Sequence, residues 1–251
     1  MKQIQLKKMA EDSSKKIKLI KDSEFFFEDP FTHFYINNFF DKLFVGNLLE
    51  SFPSLDSNLW DRSNDPEIEV KMRSNWKSEF DCPENIVNAI RIMNSAPFLT
   101  ALSNTFNIPK LMPDPYFTGG GLNVTVSGGL LDVHVDGNYH DASGLHRRVN
   151  AILYLNPGWK KYWGGEFGLY DKKGEKLVKK IAPLHNRFMA FDTNDFSFHG
   201  LPDPLNFPIG KARRSIILYY YTKEKRPDSK VSIQEPHSAL WKRKGWTDKN
   251  G

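Results

Sequence analysis

One cysteine, Cys82, is the only thiol in 251 residues, so no disulfide can form within the chain. That usage fits a reducing compartment. Long hydrophobic runs are missing as well. The longest uninterrupted apolar stretch is Ile216 to Tyr221, far short of the ~20 residues a membrane span needs. The Lys-rich opening lacks the apolar region of a secretory signal, and a cytoplasmic protein without membrane partners is the expectation. An excess of one charge is also missing from the body of the chain. Residues 1–22 hold 7 Lys against 3 acids and residues 223–251 hold 8 Lys or Arg against 4 acids, which leaves residues 23–222 at −3 within a total of +5. The basic excess lives at the two ends, which read as solvated tails. No alternation of basic and aromatic residues and no zinc-knuckle spacing supports a nucleic-acid partner.

Aromatic residues, in contrast, are plentiful: 19 Phe, 9 Tyr and 6 Trp. A chain with so many cannot be disordered, and at this length it can bury a sizeable core. Its pattern changes near residue 110. Before that point the apolar period is helical. Phe39, Phe40, Leu43, Phe44, Leu48, Leu49 and Phe52 form one amphipathic run that stops at Pro53. Ile86, Val87, Ile90 and Met93 follow Pro83 at helical spacing, and Phe98, Leu102 and Phe106 share a stripe after Ser95. The polar stretch 54–79 reads as loop, with one short strand at Ile68–Lys71. None of these segments carries a chemical cluster, so the expected task of the helices is to cover a sheet.

From Leu122 onward the period is two. Strands are expected at 122–126, 131–135, 149–156, 166–170, 176–181, 187–191 and 215–222. Short strands separated by turn signals indicate a mainly β protein, a sandwich or jelly roll covered by the N-terminal helices, and exclude βαβ units. The domain plan is a basic tail (1–22), one domain with a helical part (23–110) and a β core (111–222), and a basic tail (223–251).

The chemistry starts at His134-Val135-Asp136. On a strand, residues i and i+2 point to the same face, so an imidazole and a carboxylate are presented together. His199, in Ser197-Phe198-His199-Gly200, is the best candidate for a third ligand. Two His and one carboxylate leave open positions on a metal, the arrangement of non-haem Fe(II) oxygenases. By itself a His-x-Asp match is a weak signal. The residues downstream strengthen it. Arg213 opens the last strand and can hold a carboxylate through its fork, Ser215 shares its face, and Tyr154 offers another hydroxyl. Together they suit an anionic cosubstrate beside the metal. His140 and His146 lie in a turn-like stretch and read as exposed loop histidines rather than zinc ligands, since zinc favours four ligands, often Cys. Arg147 and Arg148 either meet an acidic substrate or pair with loop carboxylates. Arg214 should make a surface or structural ion pair, Trp163 either walls the substrate site or packs, and Tyr219–Tyr221 should alternate between core and outer face. Gly119–Gly121 lacks a phosphate-loop Lys and reads as a backbone turn.

Longer segments in order make the resemblance specific. They are Gly128-Gly-Leu-Leu-Asp-Val-His-Val-Asp136, Arg147-Arg-Val-Asn-Ala-Ile-Leu-Tyr-Leu-Asn156, Trp163-Gly-Gly-Glu-Phe-Gly-Leu169, Phe198-His-Gly-Leu-Pro202 and Arg213-Arg-Ser-Ile-Ile-Leu-Tyr-Tyr-Tyr-Thr222. Over residues 119–222 the chain resembles the 2-oxoglutarate/Fe(II)-dependent dioxygenases, in their prolyl 4-hydroxylase-like branch. The resemblance implies a double-stranded β-helix, the cupin-like form of the jelly roll. It implies His134, Asp136 and His199 as Fe(II) ligands, and Arg213, Tyr154 and Ser215 as the binding site for the distal carboxylate of 2-oxoglutarate. The implied reaction uses O2 and releases succinate and CO2 as a substrate is hydroxylated, with ascorbate as an accessory reductant. That substrate is peptidyl proline or, as the alternative, a small amino acid, nucleoside or sugar. A catalytically silent metal-binding jelly roll is the reading from outside enzymology. No clear residue for the proximal carboxylate is visible near 123–126, where Asn123 and Thr125 are the nearest polar choices.

Overall fold

The computed structural model describes residues 1–76 and 78–243. Its N-terminal part contains α1 (Gln3–Lys18), β1 (Phe26–Phe27), β2 (His33–Ile36), α2 (Lys42–Glu50), β3 (Trp60–Asp65), β4 (Glu69–Ser74), α3 (Glu84–Met93) and α4 (Ala96–Phe106). The expectation of a solvated N-terminal tail is corrected here. Ala10, Ser13, Ser14 and Ile17 recur at the spacing of one helical face and are buried, so α1 packs by that stripe; most of its lysines face water, while Lys16 donates to the Asn38 and Phe39 carbonyls. The helix expected from Phe39 begins later, because the Asp41 carboxylate accepts from the Leu43 and Phe44 amides and caps α2. Phe39 and Phe40 are core residues of the preceding turn. α3 and α4 start directly after Pro83 and Ser95, as the apolar spacing predicts. Other elements were less legible. β2 carries no alternation, and β3–β4 is a hairpin in the stretch read mostly as loop.

The core follows with β5 (Met112–Pro113), β6 (Gly121–Thr125), β7 (Leu130–Val135), β8 (Tyr139–His140), β9 (Leu145–Tyr154), β10 (Phe167–Tyr170), β11 (Leu177–Ile181), β12 (Arg187–Asp192), β13 (His199–Leu201), β14 (Arg213–Thr222) and β15 (Leu240–Trp241). All pairings are antiparallel, in one continuous path β1-β2-β12-β9-β14-β6-β4-β7-β13-β10-β11. This curled sheet is the expected jelly roll.

Alternation along the central strands divides two cores. Val149, Ala151 and Leu153 of β9, Phe188 and Ala190 of β12, and Ile216, Leu218 and Tyr220 of β14 face the helices. Their neighbours Ile152, Tyr154, Met189 and Phe191 face inward. Both faces of these strands are therefore buried, which is why they read as nearly unbroken apolar runs. Tyr220 donates its hydroxyl to the Met93 carbonyl at 3.0 Å and ties β14 to the end of α3. The Tyr219–Tyr221 run has no outer face: Tyr220 packs under the helices, Tyr219 lines the cavity at the jelly roll's mouth, and Tyr221 is buried against Arg147 and His140. No described helix is long and apolar enough to cross a membrane.

Candidate active site

His134 and His199 come together because β7 and β13 are neighbours. The two residues are directly opposite in register, with ring centroids 4.3 Å apart. Gly200 permits that closeness: a Cβ there would sit 2.8 Å from the Asp132 carbonyl oxygen of β7. Asp136 follows the end of β7, and its Oδ1 lies 3.8 Å from His134 Nε2 and 3.9 Å from His199 Nε2. All three are buried, and among the described residues this is the one group of three His, Cys, Asp or Glu able to hold a metal ion.

The surroundings prepare the donor atoms. Each imidazole places Nδ1 at 2.8 Å from a backbone carbonyl, Asp132 for His134 and Ser197 for His199. A carbonyl can only accept, so Nδ1 carries the hydrogen and the Nε2 lone pairs converge with the carboxylate. Burial pushes the His134 pKa down to about 3, with His199 adding to the effect. Burial likewise lowers His199, which favours the neutral form that binds a metal. For Asp136, burial alone would raise the pKa. The nearby His199, the Arg147 guanidinium and His134 outweigh it and hold the carboxyl below the usual range. The Asn150 amide donates to Oδ2 at 3.1 Å, which leaves Oδ1 facing the imidazoles.

The second half of the site comes from three adjacent strands. Ser215 on β14 is opposite Tyr154 on β9 and Asn123 on β6, and Arg213 is opposite Thr125. Residues opposite in an antiparallel pair share a face, so these side chains line one floor. Arg213 is buried, donates Nε to the Gly165 carbonyl at 2.8 Å, and stands 5.0 Å over the Tyr154 ring. Gly165 has φ +79, and a Cβ there would meet Arg213 Cδ at 3.0 Å, so glycine is what lets this loop close over the guanidinium. Ser215 Oγ is fully buried without a hydrogen-bond partner, and the Tyr154 hydroxyl lies between the Met189 sulfur, at 3.1 Å, and the Arg213 side chain. A buried hydroxyl left unpaired costs about 1–3 kcal/mol. An anion with several acceptor oxygens, seated between Ser215, Tyr154 and Arg213, would remove that cost. The residues present thus fit both a divalent metal and a carboxylate-bearing cosubstrate.

Of the two partners the sequence offers Arg147, a substrate or a loop carboxylate, the structure shows neither and brings its guanidinium to 3.9 Å from Asp136 Oδ1. Strict alternation would turn it away from Asn150. A register shift on β9 moves it to the inner face, opposite Tyr221, with its guanidinium 3.9 Å over the Tyr219 ring. Arg148 instead donates to the Thr222 hydroxyl. Asn150 is a further residue of the site: it shares the Tyr154 face of β9, and only the contact with Asp136 reveals its part. His140 is corrected. It is a buried residue held by Asp114 at 3.1 Å and by Thr118, not an exposed loop histidine. Arg214 lies over Phe52, and Trp163 packs with Leu205 and Phe207. A cavity of about 410 Å³ opens onto His134 and Asp136, and Lys71, Arg73, Arg147, Tyr219, His237 and Trp241 are among its walls.

A jelly roll presenting two imidazoles and a carboxylate beside a buried arginine is the arrangement that the resemblance to iron- and 2-oxoglutarate-dependent oxygenases implies. Comparison with known proteins agrees. Residues 120–221 match the family model of the 2OG-Fe(II) oxygenase superfamily. Prolyl 3-hydroxylase OGFOD1 of Mus musculus is 34% identical over 71 residues, 27% of this chain and 13% of that protein. The Xenopus laevis protein of the same name is 35% identical over 86 residues, 33% of this chain and 16% of that one. The chain therefore spans only a small part of the length of these curated relatives. A prolyl hydroxylase from Trichoplax adhaerens, solved with a hypoxia inducible factor peptide fragment, has a TM-score of 0.51 at 20% identity, covering 88% of this chain and 94% of that one. A Pseudomonas putida prolyl-4-hydroxylase has a TM-score of 0.52 at 16% identity, covering 78% and 93%. At these identities the likeness is one of fold, and the branch resembled is the prolyl-hydroxylase-like one read from the sequence.

Proposed function

We propose that the protein is an Fe(II)- and 2-oxoglutarate-dependent dioxygenase that hydroxylates the proline of a peptide substrate in the cytoplasm. The observation that carries this reading is the pairing of two preset Nε2 donors and Asp136 with an arginine floor whose Ser215 hydroxyl lacks a partner. His134, Asp136 and His199 would hold the ferrous ion. When bound, iron and 2-oxoglutarate supply the oxidising chemistry, with O2 consumed and succinate and CO2 released; ascorbate is the proposed accessory reductant. The chain's own residues do the positioning. Asp132 and Ser197 carbonyls aim the imidazoles, and Asn150 and Arg147 steady the carboxylate. Arg213, Ser215 and Tyr154 receive the distal carboxylate, while Asn123 and Thr125 are the proposed polar partners on the β6 side. The prolyl hydroxylase names of the relatives support a peptidyl-proline substrate, and the lone Cys82 supports a reducing location.

Under anaerobic conditions, Fe(II) plus 2-oxoglutarate should give a visible charge-transfer band in the wild-type protein. Arg213→Ala should keep iron binding and raise the 2-oxoglutarate requirement about 10–100-fold, the loss expected for a charge-assisted contact. His199→Ala should abolish succinate release in air. A folded wild-type protein without the band would overturn the proposal. Among substrates, stimulation of succinate release by free amino acids but by no proline-containing peptide would replace the peptide assignment.

A further inference from the structure

Residues 223–243 have the composition of a solvated end, and the fold shows otherwise. Residues 244–251 of that expected tail lie outside the described residues. Asp195, buried in the jelly roll, collects the segment: Arg226 Nη1 donates to its Oδ1 at 2.6 Å, and the Ser232 and Ile233 amides donate to its Oδ2 at 2.7 and 3.0 Å. His237 Nε2 stands 3.3 Å from the same carboxylate. Asn138, two residues beyond Asp136, accepts from the His237 amide and donates to the Glu235 carbonyl. The chain then runs as β15 along β7, with Trp241 directly opposite His134, and the Arg243 amide donates to Asp132.

The consequence is local to the metal site. The Trp241 ring is stacked on the His134 imidazole, with centroids 4.4 Å apart and planes 28° from parallel. One edge of that imidazole is pinned by the Asp132 carbonyl and one face by the indole, so ring rotation is blocked from two directions. Pro236, His237, Ser238 and Ala239 line the cavity together with Trp241. We infer that the segment 232–241 is a wall of the active site, clasped on Asp195, in which Trp241 is a positioning residue for His134 and limits access to the metal. This rests on the metal-site reading above. A segment docked merely for stability would leave the metal's environment and its accessibility alone.

The test uses the full chain loaded with Co(II), whose visible ligand-field bands report geometry at the site. Trp241→Ala should shift those bands and weaken Co(II) binding by about tenfold, the size expected when a residue supporting a metal ligand is lost. It should also speed removal of Co(II) by EDTA several-fold. Trp241→Phe, which keeps a stacking ring, should restore the spectrum. Asp195→Ala should reproduce the fast removal by freeing the wall, and His237→Ala supplies the same test with a milder change if Asp195→Ala does not fold. A Trp241→Ala protein with wild-type circular dichroism, unchanged bands and an unchanged removal rate would overturn the inference. Absence of Co(II) bands in the wild-type protein would instead overturn the metal site on which it rests.

Discussion

His33 illustrates what one buried side chain does to stability. It lies fully buried on β2, donates Nδ1–H to the Phe31 carbonyl at 2.8 Å, and stacks on Phe27, while Nε2 has no partner. Burial pushes its pKa down to about 4 from an ordinary 6.5. The unfolded chain therefore takes up the proton first as pH falls. This contribution to stability is intact above pH 6.5 and is lost as pH drops towards 4, at a cost of up to about 3 kcal/mol. His134 acts with the same sign in the metal-free protein, so the two add. Urea unfolding of metal-free protein at pH 7.5 and 4.5 should show the loss, and His33→Gln should reduce the difference between the two pH values without removing it. Identical pH dependence in the variant would take His33 out of this account. The site residues obey the same physics of burial: His134-x-Asp136, Arg213, Ser215 and Tyr154 were legible because their types and spacing are chemical. Asn150 was not, because an amide on a strand is ordinary until the carboxylate it serves is placed beside it.

At the scale of elements, the contact between sheet and helices is aromatic. Phe188 of β12 stacks on Phe39 at 4.4 Å and meets Phe98 of α4 edge-on at 5.7 Å, and Phe34 of β2 lies 6.0 Å away. Phe188→Ala should destabilise the protein by about 3–5 kcal/mol, measured as a fall in the urea midpoint at unchanged slope. A loss under 1 kcal/mol would mean that the helices do not depend on this seam. Strong periodicity made these helices and the central strands readable. The β3–β4 hairpin was only half readable: Val70 and Met72 alternate with Glu69, Lys71 and Arg73, which line the cavity, but β3 has no apolar residue after Trp60. β13 escaped for a different reason: three residues are too few to show a period, and its position is set by pairing with β7 and β10. The bulge that turns Arg147 inward is likewise a product of pairing, since neither strand alone reveals which residue is the extra one.

Over the whole molecule, the metal and the diacid would join the two halves of the curled sheet, β7 and β13 on one side and β9, β14 and β6 on the other. Binding to the folded form alone stabilises it by about 2.7 kcal/mol at a hundredfold excess over Kd. For a chain of this length that corresponds to a rise in Tm of roughly 5–10 °C. Anaerobic Fe(II) with 2-oxoglutarate should produce the rise in the wild type, and Arg213→Ala should lose the part contributed by 2-oxoglutarate. No shift in the wild type would argue that the halves are not bridged. Local order in the chain was enough to indicate the class of fold, the His134, Asp136 and His199 group and the arginine floor, because period, residue type and spacing along strands are properties of neighbouring residues. Which surfaces those strands meet depends on contacts between residues far apart in sequence. Only the folded chain therefore decided that the basic N-terminal segment is a packed helix, that Arg147 faces Asp136, and that Trp241 comes back to lie against His134.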